Sequence, residues 1–191
     1  MSAKLMVVGV VAALGLVVAS VAAARAINGT GGDDTLLGTR RADVISGLAG
    51  NDQIRGGPGP DIVLAGKGDD VVRGGPGGDV IWGNSGNDQL SGGQGLDIIR
   101  GRGGNDQVDG NAGPDQLFAG LGADVVRGGY GRDRLHAVAK DGQLDTLDCG
   151  PGRDVAVVRA GEQSTITNCE RVVVVPDTPS TEEPGESPAD D

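Results

Sequence analysis

The sequence has few aromatic and few basic residues. Only three aromatic residues are present, Trp82, Phe118 and Tyr130, against 37 glycines in 191 residues. An ordinary layered core of large side chains is therefore excluded, although a narrow repeated core is not. The 16 basic residues are outnumbered by 27 acidic ones, which gives a formal charge of −11. This balance argues against a nucleic-acid partner, whose phosphates require a basic face, and favours cations.

The N-terminal segment has the order of parts of a secretory signal. Lys4 precedes an apolar run from Leu5 to about Ala24, and Ala24 and Ala26 form an Ala-x-Ala site. Residues 1–26 are therefore predicted to be a signal peptide, and the mature protein is predicted to be secreted, with no membrane span. The alternative is an uncleaved anchor, because the run approaches the roughly 20 residues that span a bilayer.

Residues 29–136 form twelve consecutive nonapeptides without an insertion. Place four is Gly in eleven of them, with Arg41 as the exception, and place eight is always Leu, Ile or Val. A disordered low-complexity tract, the alternative for a Gly-rich acidic chain, would not keep this phase. Place six is always aspartate: Asp34, Asp43, Asp52, Asp61, Asp70, Asp79, Asp88, Asp97, Asp106, Asp115, Asp124 and Asp133.

The repeat predicts stacked turns with very short strands. Glycines at places one, two and four allow positive φ angles and close backbone approach. Because alternate side chains of a strand face opposite ways, place eight is expected to point inward and places seven and nine outward. Stacking aligns the aliphatic residues into a thin core and the aspartates into columns, so the fold class predicted is all-β.

The aspartate columns predict a divalent cation. Stacked carboxylates about 4.8 Å apart repel by about 3 to 4 kcal/mol at an effective dielectric near 20. A hard cation between turns reverses that sign, and calcium suits the site best because it accepts six to eight oxygen ligands, including backbone carbonyls, in loose geometry. The metal-free repeats are therefore expected to be poorly folded. The periodic placement also favours metal ligands over a catalytic carboxylate pair.

Two of the repeats, GGPGPDIVL from Gly56 and GGPGGDVIW from Gly74, match the pattern GGxGxDxUx at every defined place. This pattern resembles that of the RTX, or haemolysin-type, calcium-binding family. The resemblance implies a parallel β-roll (a β-solenoid) with two repeats per coil, about six coils here. It also implies calcium between repeat n and repeat n+2, hence ten pairings and up to about ten Ca²⁺ ions. One site would use main-chain and carboxylate oxygens of Gly57, Gly59, Asp61, Gly74, Pro76 and Asp79. In the first coil, Arg41 stands where a glycine belongs and is expected to occupy or weaken the neighbouring site.

No enzyme is expected. Relatives in the RTX family join their repeats to a catalytic or pore-forming domain, whereas this chain places its repeats directly after the predicted signal. His136 is the only histidine, so a zinc-binding HExxH motif is impossible and no second histidine supports a general base. It occupies a ninth place and is expected to point to solvent.

After His136 the register breaks and then returns with Asp145 and Asp154, nine residues apart. We expect residues 137–175 to form a C-terminal cap over the last open coil. Cys149 and Cys169 are expected to form a disulfide, as two cysteines in an exported chain suggest, with free reactive thiols as the alternative. Residues 176–191 are acidic and Pro-rich and are predicted to be a disordered tail.

Odd and even repeats are expected on opposite faces of the roll. The odd repeats point polar and charged residues outward, whereas the even repeats point outward Val44, Ile62, Leu64, Val80, Trp82, Ile98 and Phe118. This apolar face is a candidate surface for a cell-surface partner or for self-association. The alternatives are that the cap covers it or that its exposure has no function.

Two functions follow. The first is calcium binding by a secreted β-roll that folds on meeting external calcium. The second is a surface adhesin or extracellular matrix protein in which calcium only stabilises the fold and the apolar face binds the partner.

Overall fold

The structure is a computed structural model that describes residues 24–162 and 164–176. All regular elements within these residues are β-strands. The odd-numbered strands are β1 (Arg25–Asn28), β3 (Asp43–Ala49), β5 (Ile62–Lys67), β7 (Val80–Ser85), β9 (Ile98–Gly103), β11 (Gln116–Leu121), β13 (Arg134–Ala137), β15 (Val155–Arg159) and β17 (Arg171–Val175). The even-numbered strands are β2 (Thr35–Leu37), β4 (Gln53–Arg55), β6 (Val71–Pro76), β8 (Gln89–Gln94), β10 (Gln107–Ala112), β12 (Val125–Tyr130), β14 (Asp145–Asp148) and β16 (Ser164–Thr167).

The strands form two parallel sheets, one of nine odd-numbered strands and one of eight even-numbered strands. Each strand pairs with the strand two positions along the chain, and Val63 of β5, for example, lies in register with Ile81 of β7. The chain therefore winds as a β-solenoid in which each turn contributes one strand to each sheet. The predicted parallel, all-β solenoid is confirmed.

The solenoid has about eight turns, two more than the sequence predicted. The two additional turns come from the segment after β13. Residues 138–144 form a loop, and the chain then returns to the same two sheets. β14 pairs with β12, and β15 pairs with β13. β16 and β17 extend the two sheets once more. The segment expected to cap the roll thus continues its strands, and a separate cap is not confirmed.

The core is one narrow column of aliphatic side chains between the two sheets. Place eight points inward in all twelve repeats and is buried from Leu36 to Leu135. Leu147 and Ala156 continue the column in β14 and β15. Because successive coils place aliphatic groups directly above one another, a core with almost no aromatic residues can still be dry.

Both ends of the chain extend past the described residues. The predicted signal lies outside them except for its last three residues, and the predicted tail lies outside except for its first. β1 begins at Arg25, so cleavage after Ala26 would remove its first two residues. Within residues 24–162 and 164–176, no helix has the length and apolar character required to cross a bilayer.

Candidate metal-binding columns

The place-six aspartates lie in two columns, one for odd and one for even repeats. From Asp43 to Asp133 each is buried, with at most 2% of its surface exposed. Within a column the coils are joined through these side chains: the backbone N–H of Asp61 donates to Oδ1 of Asp79 at 2.8 Å, and the N–H of Asp79 donates to Oδ1 of Asp97 at 2.8 Å. From Asp52 to Asp133, Oδ1 of each aspartate is thereby used to connect successive turns, whereas Oδ1 of Asp43 has no partner.

The other carboxylate oxygen, Oδ2, has no hydrogen-bond partner in the central repeats. This holds for eleven aspartates, which are Asp52, Asp61, Asp70, Asp79, Asp88, Asp97, Asp106, Asp115, Asp124, Asp133 and Asp154. A buried acceptor without a partner is costly, and a buried charge far more so. Such a periodic series of unpartnered oxygens indicates a ligand that the fold is built to bind.

Backbone oxygens converge on the same places. A Cβ added to Gly74 would lie 2.3 Å from Oδ2 of Asp79 and 2.6 Å from the carbonyl oxygen of Gly92, one coil on. The same arrangement surrounds Gly56, 2.5 Å from Oδ2 of Asp61 and 2.7 Å from the Gly74 carbonyl. A carboxylate oxygen and a carbonyl oxygen from successive coils therefore face one small space beside nine of the ten place-one glycines, including Gly29 and Gly38.

The donor set consists of hard oxygens from side chain and main chain. Among the described residues, no group of three or more His, Cys, Asp or Glu side chains is close enough to bind a metal ion. Carboxylates would therefore have to act together with carbonyls, which is the mixed ligand set that Ca²⁺ accepts and Mg²⁺ rarely does. The residues present fit a calcium ion.

Burial raises the pKa of the column carboxyls. Desolvation is the largest cause, and the neighbouring carboxylates add to it, whereas the backbone N–H donated to each group lowers the pKa. The pKa values reach about 7 for Asp79, Asp88, Asp106 and Asp115. They reach about 6 for Asp61, Asp70, Asp97, Asp124 and Asp145. Without a cation, the aspartates of these columns are therefore not fully ionised at neutral pH.

The family comparison agrees with this geometry. A family model described as the RTX calcium-binding nonapeptide repeat, in four copies, matches residues 28–63, 56–90, 64–99, 82–117 and 109–138. The chain belongs to this RTX family. No curated protein matches it. RTX nonapeptide repeats bind Ca²⁺, and they form a structural calcium-binding fold, not a catalytic one.

The six residues carried over as one RTX site lie on successive coils in contact with each other. The N–H of Gly57 donates to the carbonyl of Gly74, and the N–H of Gly59 donates to the carbonyl of Pro76, both at 2.8 Å. Each carbonyl keeps a second lone pair. The structure thus brings repeat n against repeat n+2, and the assignment of these oxygens as calcium ligands stays a prediction.

The glycines have two separate roles in the RTX turn. Places two and four take positive φ in the central repeats, as at Gly75 (φ 120°) and Gly77 (φ 159°). Place two tolerates other residues there, for example Asn84 at φ 77°. Place one does not take positive φ, so the expectation of positive φ at all three places is wrong for it. In the ten repeats with glycine at place one, the missing Cβ leaves space beside Oδ2 of the aspartate, whereas Ala65 and Ala119 carry a Cβ at this place.

A second side-chain ladder runs beside the odd column, and the sequence analysis missed it. Place-five side chains accept the backbone N–H of place five in the next coil. The first of these hydrogen bonds runs from Asn51 N–H to Oδ1 of Asp33 (2.7 Å), and the last runs from Ala123 N–H to Oδ1 of Asn105 (2.8 Å). In the even repeats Pro60 and Pro114 lack that N–H. The signal was the Asp or Asn directly before place six in odd repeats, as in GNDQ.

The outward face of the even repeats is less exposed than expected. Ile62 and Val80 are only 6% and 5% exposed, and the other five residues are half-buried. In-register apolar neighbours on adjacent strands cover them.

His136 stacks on Phe118 with ring centroids 4.6 Å apart, and Arg100 lies over the Phe118 ring. His136, expected to point to solvent, lies on the outer face but is half-buried against Phe118, and this burial lowers its pKa.

Cys149 and Cys169 form a disulfide, as predicted. Cys149 is fully buried at the end of the core column, and Cys169 packs against that column shortly before β17. The bond joins the end of β14 to the last turn of the solenoid.

Proposed function

We propose that this protein is a secreted β-roll that becomes ordered when Ca²⁺ fills its two aspartate columns. The observation that carries the proposal is the series of eleven buried, unpartnered Oδ2 atoms. In the turns around Gly56 and Gly74, such an oxygen faces a carbonyl of the next coil. The RTX repeats support the ion class, and the buried, unpartnered oxygens support a dependence of folding on that ion.

The coupling between binding and folding rests on the balance of charge. At neutral pH, folding without cations buries a column of carboxylates whose neighbours repel them and whose pKa values are raised to about 6 or 7. The many glycines add an entropy cost to ordering the turns. Since no ready-made site exists in an unfolded chain, the free energy of calcium binding contributes directly to folding.

Secretion is the finer part of the proposal. It is supported by the N-terminal segment with Lys4, the apolar run and the Ala-x-Ala site, and by a disulfide, which persists in oxidising compartments. Calcium outside cells is available at the millimolar levels to which extracellular calcium modules are tuned. Export to such a medium would switch the roll from disordered to ordered.

The test is a calcium titration of the purified mature chain, starting in chelator at neutral pH. Far-ultraviolet circular dichroism is recorded with the number of bound ions, and magnesium at equal concentration is the control. We expect a cooperative gain of β signal with calcium and little gain with magnesium. An unchanged β signal across the titration, or equal binding of both ions, would refute the proposal.

A surface role for the even-repeat face is a second proposal. It is supported by the in-register series Leu64, Trp82, Arg100 and Phe118 along the outside of the nine-stranded sheet. Replacing Trp82 by Ser should then reduce adhesion or oligomer size at saturating calcium. Unchanged adhesion and oligomer size would remove this role without affecting calcium binding.

A further inference from the structure

In the first coil, defined as repeats 1 and 2 (residues 29–46), the place-six aspartates have different hydrogen-bond partners from those of repeats 3 to 12. In repeat 1 the backbone N–H of Thr30 donates to Oδ2 of Asp34 at 2.6 Å, and the Thr30 hydroxyl donates to the same oxygen at 2.9 Å. The oxygen that is unpartnered in the central repeats thus has two donors here.

Repeat 2 has the same arrangement. Thr39 donates its N–H and its hydroxyl to Oδ2 of Asp43 at 2.6 and 2.9 Å. Its hydroxyl oxygen in turn accepts the N–H of Arg41 at 3.2 Å. Because the arrangement occurs in both columns, on opposite edges of the roll, it is a property of the whole coil and not of one turn.

The backbone of the first coil matches this difference. Place two is threonine only in repeats 1 and 2, and neither Thr30 nor Thr39 takes the positive φ found at place two in repeats 3 to 12. Place four also lacks positive φ in the first coil, at Gly32 and Arg41, whereas every place-four glycine from Gly50 to Gly131 has it. A turn that leaves the left-handed region brings the place-two N–H and hydroxyl onto the carboxylate.

We propose that the first coil is an ion-free end of the roll. Thr30 and Thr39 determine this by giving Asp34 and Asp43 the partners that calcium would give the other aspartates. The inference rests on the proposed calcium function. Of the ten pairings of repeat n with repeat n+2 that the RTX family implies, the two that begin in the first coil would then bind no ion. Two donors occupy the Oδ2 atom of each of these aspartates without a cation. The Oδ1 atom of Asp43 is buried without a partner, because the preceding strand β1 has no place-six N–H to donate to it, so the inference concerns Oδ2 alone.

The test compares bound calcium in two double variants of the mature chain. D34N/D43N changes the first coil, and D70N/D79N makes the same chemical change once in each column of the central repeats. Bound ions are counted by equilibrium dialysis at saturating calcium, with circular dichroism as the check of folding. We expect D34N/D43N to bind as many ions as the parent and D70N/D79N to bind about two or more fewer.

A loss of ions in D34N/D43N equal to that in D70N/D79N would overturn the inference. Should a double variant not fold, the single variants D34N and D70N give the same comparison. D34N is expected to fold, because Asp34 is only half-buried. The parent count separates the two proposals: a parent that binds no calcium refutes the proposed function, whereas a calcium-binding parent with a calcium-dependent first coil refutes only this inference.

Discussion

The first coil and the central coils of this roll solve the same electrostatic problem in two ways. In both regions, the aspartate at place six lies at or directly before the first residue of a β-strand. In the first coil, Thr30 and Thr39 donate two hydrogen bonds each to Oδ2. In the central coils that atom is buried without a donor beside a glycine and a carbonyl. The Oδ2 atom of the same acid thus has donors from its own turn at one end of the roll and is a candidate calcium ligand in the middle, although Oδ1 of Asp43 is also buried without a partner.

We infer that place two sets this difference, since Leu48 and Arg102, as well as glycine and asparagine, take positive φ there, whereas Thr30 and Thr39 do not. Glycine or asparagine at place two enters the left-handed region readily and turns its N–H away from the carboxylate of its own repeat. Threonine, which is β-branched, avoids that region and offers a hydroxyl instead. A one-residue change can therefore determine whether a nonapeptide with a perfectly placed aspartate requires an ion.

The largest expected effect is that of pH on the central coils in chelator. Their aspartates have folded pKa values of about 6 to 7, above the ordinary value of about 3.9 in the unfolded chain. Protons therefore stabilise the ion-free fold most below about pH 4, and this stabilisation is lost as the pH rises through about 6 to 7. We expect more β signal by circular dichroism at about pH 5 than at about pH 8.

With calcium present the trend should reverse, since protons compete with the cation for the same oxygens. A β signal in chelator that does not change between these two pH values would contradict the raised pKa values.

The next largest effect is expected from a matched pair of place-four glycines. At Gly95 an added Cβ would lie 1.7 Å from the carbonyl oxygen of Gly77, at φ 131°. Gly95→Ala should therefore destabilise the calcium-loaded protein by about 3 kcal/mol. At Gly32, in the first coil, no atom of the described residues lies within 4 Å of such a Cβ. Gly32→Ala should cost less than about 0.5 kcal/mol.

Thermal melting at saturating calcium measures both variants. Equal losses of stability would mean that the turns of the two regions do not differ as described.

The comparison of the first coil with the central coils also shows which features the sequence could predict and which it could not. Periodicity was sufficient to predict the aspartate columns and the place-eight core, whereas the parallel pairing of repeat n with repeat n+2 was implied by the resemblance to the RTX family. The sequence also predicts that Arg41 occupies or weakens the neighbouring calcium site, and this stays a prediction. In the structure Arg41 stands at a place-four position without positive φ, where a glycine is not needed.

Other features were not predictable because they depend on relations between coils. The three extra residues between Asp133 and Asp145 are accommodated by a surface loop, so the hydrogen bond from Asp124 N–H to Oδ1 of Asp145 keeps its length of 2.9 Å across the break. The break in the nine-residue repeat therefore leaves the solenoid fold unchanged. The Asn and Asp ladder at place five likewise becomes visible only when coils are stacked.

A third prediction compares the two ends of the roll. The C-terminal end is closed by the bond between Cys149 and Cys169, 20 residues apart. Replacing both cysteines by serine should cost about 3 kcal/mol by the chain-entropy estimate. Chemical denaturation at saturating calcium measures the loss. The bound-ion count should stay at the parent value, and a fall in that count would mean that the disulfide supports the columns themselves.

The smallest effect is expected at the N-terminal end. Thr39→Val removes the hydroxyl donor to Asp43 but keeps the N–H and the shape of the side chain, so it should cost about 1 kcal/mol. Thr35→Val is the control, because Thr35 is exposed on β2. Equal stability of the two variants would show that the Thr39 hydroxyl contributes nothing to closing the first coil.

The most direct measurement is anomalous diffraction from crystals of the calcium-loaded mature protein. The predicted result is calcium beside Oδ2 of the central aspartates, such as Asp61, Asp79 and Asp97, with none beside Asp34 or Asp43. Well-ordered central columns without calcium, whose Oδ2 atoms bind only water or protons, would contradict the claim that buried, unpartnered carboxylate oxygens are where this protein binds its ions.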